Sequence, residues 1–396
     1  MDLFSPFRNA VYRRLMLGEM IMLVGTGLAT VALGLLAYDL AEGEAGLVLG
    51  TALAIKMIAY VTITPLSSGV VHLVPRRVLL ASMAIGRAGV ISLMPFVTEV
   101  WQIYVLIFLL NGFAGVYSPT FQATIPDILT DEEEYTKALS ITRLAYELEN
   151  LASPTLAALA LTFFSYSVLF QMNAAAFAIV ASIVLLTSLP KLAVSEKQTT
   201  YLRRVSRGTI LYFTTARLRG VLALMMAVSA GGSMVIVNSV VLVRDRFGGS
   251  ETDLAIALGA SGAGSMLTAL LMPKLLSRLQ DRSVMLTGGG LLTLGLVLGP
   301  LVPAFPAFLA LWVLMGVGFA AIYTPVGRIL TRSVAEEDRQ AIFSAQFALS
   351  HACWLVAYPI AGWSGPTLGL DASFHILAAL CIASTGAAAM LWKRES

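Results

Sequence analysis

Apolar blocks of about 20 residues recur along this chain from end to end, the length an α-helix needs to cross a ~30 Å hydrocarbon core. Twelve can be delimited, at roughly 15–38, 47–67, 78–97, 101–122, 139–164, 168–189, 220–243, 254–276, 284–304, 306–323, 341–363 and 373–392. A soluble protein can hide one or two such helices in its core, but not twelve. Only 12% of the 396 residues are charged, against about 25% in an ordinary soluble domain. The expectation is an all-α membrane protein with twelve transmembrane helices. The first block is too long for a signal's apolar region and no small-residue cleavage site follows, so no cleaved signal is expected. Cys353 and Cys381 fall inside blocks, which argues against a disulfide framework.

Lys and Arg give the orientation. Twenty-one of the 26 lie in segments assigned to one side: three near the start, Arg76 and Arg77, Lys137, seven in 191–219, three in 274–282, three in 328–339, and Lys393 with Arg394. The other side has Arg244 and Arg246, and three cations are embedded. By the positive-inside rule both termini are expected in the cytoplasm. The net charge of +3 reflects this asymmetry and suggests no nucleic-acid partner.

The most polar stretch, 191–219, divides the blocks six and six. It is expected to be a basic cytoplasmic linker, partly an amphipathic surface helix, between an amino-terminal bundle (1–190) and a carboxy-terminal one (220–396). The halves share an offset. "YSP" at 117–119 matches "YTP" at 323–325, Pro154 matches Pro359, Arg77 matches Arg282, Gly25 matches Gly231, and the acidic run Asp131 to Glu134 is answered by Glu336 to Asp338. A shared offset over five landmarks signals duplication, so two pseudo-symmetric six-helix bundles are expected. Many secondary transporters are built from such repeats, with the site near mid-membrane between them.

Over essentially its whole length the chain resembles the major facilitator superfamily, whose fold is two six-helix bundles joined by a cytoplasmic linker. That family's Gly-x-x-x-Asp-Arg-x-Gly-Arg-Arg type loop between the second and third helices is represented by "SGVVHLVPRR" (68–77). Arg76 and Arg77 fit, while His72 stands where the Asp belongs and Pro75 where the second Gly belongs. The exporters' Gly-Pro-x-x-Gly-Gly signature in the fifth helix is represented by "SPTLAA" (153–158), with small residues in place of each Gly. The resemblance is to bacterial efflux proteins for drugs, siderophores or nickel. It implies an inner-membrane transporter working by alternating access, with a small-molecule substrate, no cofactor and a monomeric state.

The embedded charges are the candidate machinery. At 1.5 Å per residue, Arg87 lies about 14 Å into the third helix, Lys56 at a similar depth in the second, and Glu147 and Glu149 about 14–17 Å into the fifth. Arg143 is one turn from Glu147 on the same face. Glu149 is about 200° round the helix from Glu147, so the two cannot share a partner on one side. Glu19 lies about one turn inside the first helix. Apart from Lys274 at the cytoplasmic edge of 254–276, the predicted spans of the carboxy-terminal half contain no Asp, Glu, Lys or Arg, only His351 and, at an edge, His375. Unpaired charge in a membrane costs several kcal/mol, so these groups should pair and face a wet interior. Two readings stand: a structural ion-pair network with snorkelling for Arg143 and Glu19, or proton coupling and recognition of a charged substrate. The second is favoured. A carboxylate that loses its cation as the bundles rock would change protonation between states. Glu147 is the first choice for that role and Glu149 the second, with Arg143 and Arg87 as partners.

Lys56, Glu19, Asn111, Asn238, Gln346 and His351 are the candidate substrate-cavity groups, although the amides serve equally as helix-to-helix hydrogen-bonding groups. His351 and Cys353 hint at a soft-metal pair, but i and i+2 point to different sides of a helix, so no metal site is assigned. "GASGAGSM" (259–266) and "GGGLL" (288–292) lack the ending of a phosphate loop and read as close helix packing. No nucleotide-binding domain and no nucleophile–base pair is found, so neither an ATP-driven pump nor a membrane enzyme is expected. The expected function is proton-coupled export of a small molecule, with metal-ion export and import as the alternatives.

Overall fold

A computed structural model describes residues 2–40, 45–190 and 200–392. Residues 191–199 of the linker, with Lys191 and Lys197, lie outside the described residues, as do Lys393 and Arg394. The amino-terminal half holds α1 (Ala10–Leu40), α2 (Ala45–Ser68), α3 (Arg76–Leu93), α4 (Val100–Ile128), α5 (Glu132–Leu161) and α6 (Tyr166–Leu185). The linker contributes α7 (Tyr201–Thr214). The carboxy-terminal half holds α8 (Ala216–Ser233), prolonged through π-helical turns and α9 (Ser239–Val241) to Arg246, then α10 (Glu251–Leu276), α11 (Asp281–Leu298), α12 (Phe305–Tyr323), α13 (Val326–Ser333), α14 (Arg339–Leu368) and α15 (Leu370–Leu391).

Counting α8 with α9, and α12 with α13, as single crossings gives twelve membrane helices in two six-helix bundles. Eleven of the described spans are apolar enough to cross by composition. The twelfth is α5, whose charges offset its apolar surface. Asp131 starts it, accepting from the Glu134 amide at 2.9 Å, and three further acids sit where the helix dipole favours them.

The duplication is visible in the packing. In one half α1 lies against α6 and α2 against α4, and in the other α8 lies against α15 and α10 against α12. The halves meet where α5 packs on α10 and α2 on α14, again related by the repeat. One landmark behaves differently in its two copies. The α4 helix runs through Pro119, whereas α12 ends at Tyr323 and the chain restarts as α13 after Pro325. Proline removes one hydrogen bond and crowds the preceding turn, and the surrounding packing decides whether the helix bends or breaks.

The polar stretch from 200 onward is the expected amphipathic helix. Its α7 lies across α14 and α2, so closely that a Cβ on Gly208 would stand 2.1 Å from the Ala341 carbonyl oxygen. It marks one face of the molecule, here called the linker face.

Candidate functional site

The α5 helix sets the site because it is a polar helix in an apolar surround and must place its charges inward. Arg143 and Glu147, one turn apart, form an ion pair. Glu147 is buried, and Ser265 of α10, in the other half, donates to its Oε1 at 2.7 Å while accepting from Arg143 Nε at 2.9 Å. The Arg143 guanidinium also lies 5.0 Å from the Tyr323 ring centre on α12. The pair, carried by one half, is thus held by groups of the other. Ser265 can reach it because α10 and α12 touch through glycines. A Cβ on Gly264 would stand 2.1 Å from the Val313 carbonyl oxygen, and one on Gly316 1.9 Å from that of Ser261. The stretch "GASGAGSM" therefore packs as expected and, in addition, delivers a polar contact that sequence reasoning missed.

Glu149 points the other way, as its spacing requires. It accepts from Ser153 at 3.3 Å, stands beside Gly27 of α1, and lies within electrostatic range of Lys56. The expected partnership of Arg87 with Glu147 is corrected. Arg87 is buried inside the amino-terminal bundle, where the carboxylate acting on it is Glu19. Its NH1 group reaches the Met22 thioether at 3.0 Å, and its guanidinium sits 4.1 Å from the Phe177 ring centre. The reason is angular: Glu147 uses the face of α5 that meets the other half, and Arg87 lies behind it. Glu19 accepts from Tyr146 at 3.2 Å. That tyrosine, next to Glu147 in sequence, was not foreseen.

Between the halves lies a cavity of about 570 Å³. Lys56, Arg143, Tyr146, Gln346 and His351 contribute polar atoms to its wall, and Tyr60, Tyr323 and Trp354 contribute rings. Tyr60 and His351 meet edge to face, with centres 4.6 Å apart, across the interface. His351 Nδ1 bonds its own helix at the Phe347 carbonyl, 2.6 Å away, and Gln346 accepts from Tyr212 of α7. Cys353 faces away from this cavity and joins the core of the carboxy-terminal half. Glu19, Asn111 and Asn238 do not reach it either, Glu19 being buried with Tyr146 and Arg87 inside the amino-terminal bundle. Asn111 donates to Ile107 in its own helix at 2.8 Å and borders a separate cavity inside the amino-terminal bundle. Asn238 ends a π-helical turn and donates to Ala361 at 3.4 Å and Ser373 at 3.3 Å. It belongs to helix packing, as a buried amide with carbonyls in reach tends to.

The linker face carries two ionic joints that sequence reasoning did not foresee. Asp127, at the end of α4, pairs with buried Arg76 of its own half at 2.7 Å and with Arg339 of the other half. Glu132 pairs across the interface with Arg328, at 3.0 Å, and with Arg332; both arginines also reach Asp281, at 3.3 and 2.7 Å. The loop's His72 contacts neither joint but meets Arg204 of α7. Burial first, and then the Arg204 guanidinium, lower its pKa below the ordinary histidine value. Arg76 does take part in holding the halves together, through Asp127, and Arg77 is exposed. A signal was present: Asp127 and Arg332, like Arg76 and Asp281, stand at the repeat offset with opposite charge.

The family model described as Major Facilitator Superfamily matches residues 15–237 and 221–396. An uncharacterised MFS-type transporter of Bacillus subtilis (strain 168), YfiS, is 22% identical over 336 residues, covering 81% of this chain and 79% of its own. Among solved structures, the human organic anion transporter MFSD10 superposes with a TM-score of 0.82 at 13% identity, over 97% of this chain and 100% of that one. A bacterial homologue of the iron transporter ferroportin, in its outward-facing state, gives 0.76 at 16% identity, over 96% and 98%.

Proposed function

This chain belongs to the Major Facilitator Superfamily and is a secondary transporter, and we propose that it exports a small molecule from the cytoplasm in exchange for protons, with Glu147 as the coupling carboxylate. The observation that carries this reading is the Arg143–Glu147 pair bridged by Ser265 from the opposite half. Any rocking of one bundle against the other must change the company of that carboxylate. Arg143 shares α5 with Glu147 and moves with it, so what rocking removes is the Ser265 bridge and the Tyr323 ring that hold the pair together. With them gone the pair is free to open and the carboxylate to take a proton. Glu147 therefore exchanges its proton as the halves move, while the cavity beside it holds the cargo. Aromatic walls around a few polar groups suit a small, largely apolar organic molecule. The linker face is taken as cytoplasmic from its Lys and Arg excess.

The test begins with a panel of toxic compounds, scored for resistance in a bacterial host expressing the protein, to supply a cargo. Glu147→Gln keeps the shape of the side chain and removes its charge. In proteoliposomes under an imposed pH gradient it should still bind that cargo but fail to transport it, and proton release on binding should disappear. If Glu147→Gln and Glu149→Gln both transport like the parent protein, the charged layer is structural and the proposal fails.

A further inference from the structure

The amino-terminal half holds a second, partly open cavity, of about 300 Å³, that the coupling reading does not use. It lies among α1, α2, α3, α4 and α6, away from the interface. Its two ends differ. At the level of the charged layer its wall carries Lys56 and Arg87 with Asn111 and Asn173, and from there toward the face opposite the linker it is bounded by residues such as Leu33, Leu53 and Ile107. The carboxylates that balance these cations, Glu19 and Glu149, are not part of the wall. A ligand inside meets the two cations and an apolar sleeve.

Arg87 is set up to receive an acceptor. It is only 8% exposed, yet its Nε has no hydrogen-bond partner, and NH1 is spent on the weak sulfur acceptor of Met22. The Phe177 ring holds the guanidinium plane. A buried donor without an acceptor is costly, and a guanidinium matches a carboxylate in a two-pronged arrangement. Lys56 stands at the wall of both this cavity and the central one. The two spaces are neighbours through its side chain.

We propose that this cavity binds an amphipathic organic monoanion, a carboxylate or comparable head group on a medium-length apolar tail, with the head on Arg87 and Lys56 at mid-membrane and the tail directed toward the face opposite the linker. The volume lies at the small end of the usual range for ligand sites, about 300–1,000 Å³. The same chemistry could be presented by a free organic acid or by an anionic lipid.

The experiment is calorimetric titration of the full-length protein in phosphatidylcholine nanodiscs with octanoate, octan-1-ol and octylammonium. Octanoate should bind at least about tenfold more tightly than the other two, the ratio one charge-assisted contact supplies. Arg87→Met should remove that preference. Because it also strips Glu19 of its cation, a second variant leaves every charge in place. Gly34 borders the cavity, and a Cβ there meets nothing within 4 Å, so Gly34→Phe should fill the sleeve and abolish octanoate binding. Glu147→Gln should bind octanoate like the parent, which separates this site from proton coupling. If phosphatidylglycerol in the nanodiscs displaces octanoate, the site is confirmed and its natural occupant is an anionic lipid. Equal binding of octanoate and octanol, or octanoate binding that survives Gly34→Phe, overturns the proposal.

Discussion

The two halves share one fold and fill it differently. The amino-terminal bundle holds Lys56, Arg87, Arg143, Glu19, Glu147 and Glu149 and keeps an internal cavity. The carboxy-terminal bundle has no Asp, Glu, Lys or Arg at that depth, and its helices close on one another through glycine contacts and a core around Trp312, Phe308 and Phe374. Lipid tails are as apolar as such a core, so its cohesion comes from fit and from a few hydrogen bonds. One half therefore carries the charges, and the other is a close-packed body that meets them with neutral dipoles and rings, chiefly Ser265 and Tyr323. At the linker face the contrast changes form. The duplicated positions carry opposite charges, and each joint is closed by a residue from the other half.

If the α10–α12 contact is closed by glycine against a neighbouring helix's backbone, a glycine there should be far less replaceable than one that borders the amino-terminal cavity. Gly316→Val should yield no folded protein by fluorescence-detected size exclusion, because its Cβ would overlap the Ser261 carbonyl. Gly34→Ala should elute like the parent. Equal tolerance at both sites would break the comparison.

The joints should differ by burial. Asp127→Asn leaves Arg76, with a side chain 3% exposed, without its counter-charge, and should cost about 3–5 kcal/mol in thermal unfolding. Glu132→Gln acts at a joint where Glu132 and Arg332 are 47% and 40% exposed and Asp281 remains to hold both arginines. It should cost under about 1 kcal/mol. A reversed order would mean that the exposed joint is the stronger one.

Ser265→Ala tests whether the carboxy-terminal half contributes dipoles to the charged pair. It removes the bridge to Glu147 and leaves the ion pair, so transport under a pH gradient should fall about tenfold while the protein folds normally, the scale of one hydrogen bond to a charged group. Unchanged transport would make the contact incidental.

The smallest effect belongs to His72. Its lowered pKa means that the unfolded chain takes up a proton before the folded one does. The stability it contributes is present above the unfolded value of about 6.5 and is lost as pH falls below it. Proteolysis of the region around α7 should therefore increase in mild acid. His72→Asp should abolish that increase by putting a carboxylate in place of the imidazole beside Arg204, with transport intact.

The sequence alone determined the membrane architecture, the division into halves and the depth of the charged layer. Each of these follows from a one-dimensional quantity: block length, repeat offset or residues per turn. Spacing along a single helix also determined that Arg143 pairs with Glu147 and that Glu149 faces elsewhere. Only the tertiary structure decided that Arg87 belongs with Glu19, that Asn238 packs within its bundle, and that Ser265, Asp127 and Arg339 reach across the interface. Such partners lie on different helices, whose mutual rotation and approach are set by how glycines and bulky side chains interlock. Periodicity within any one helix carries no record of that fit.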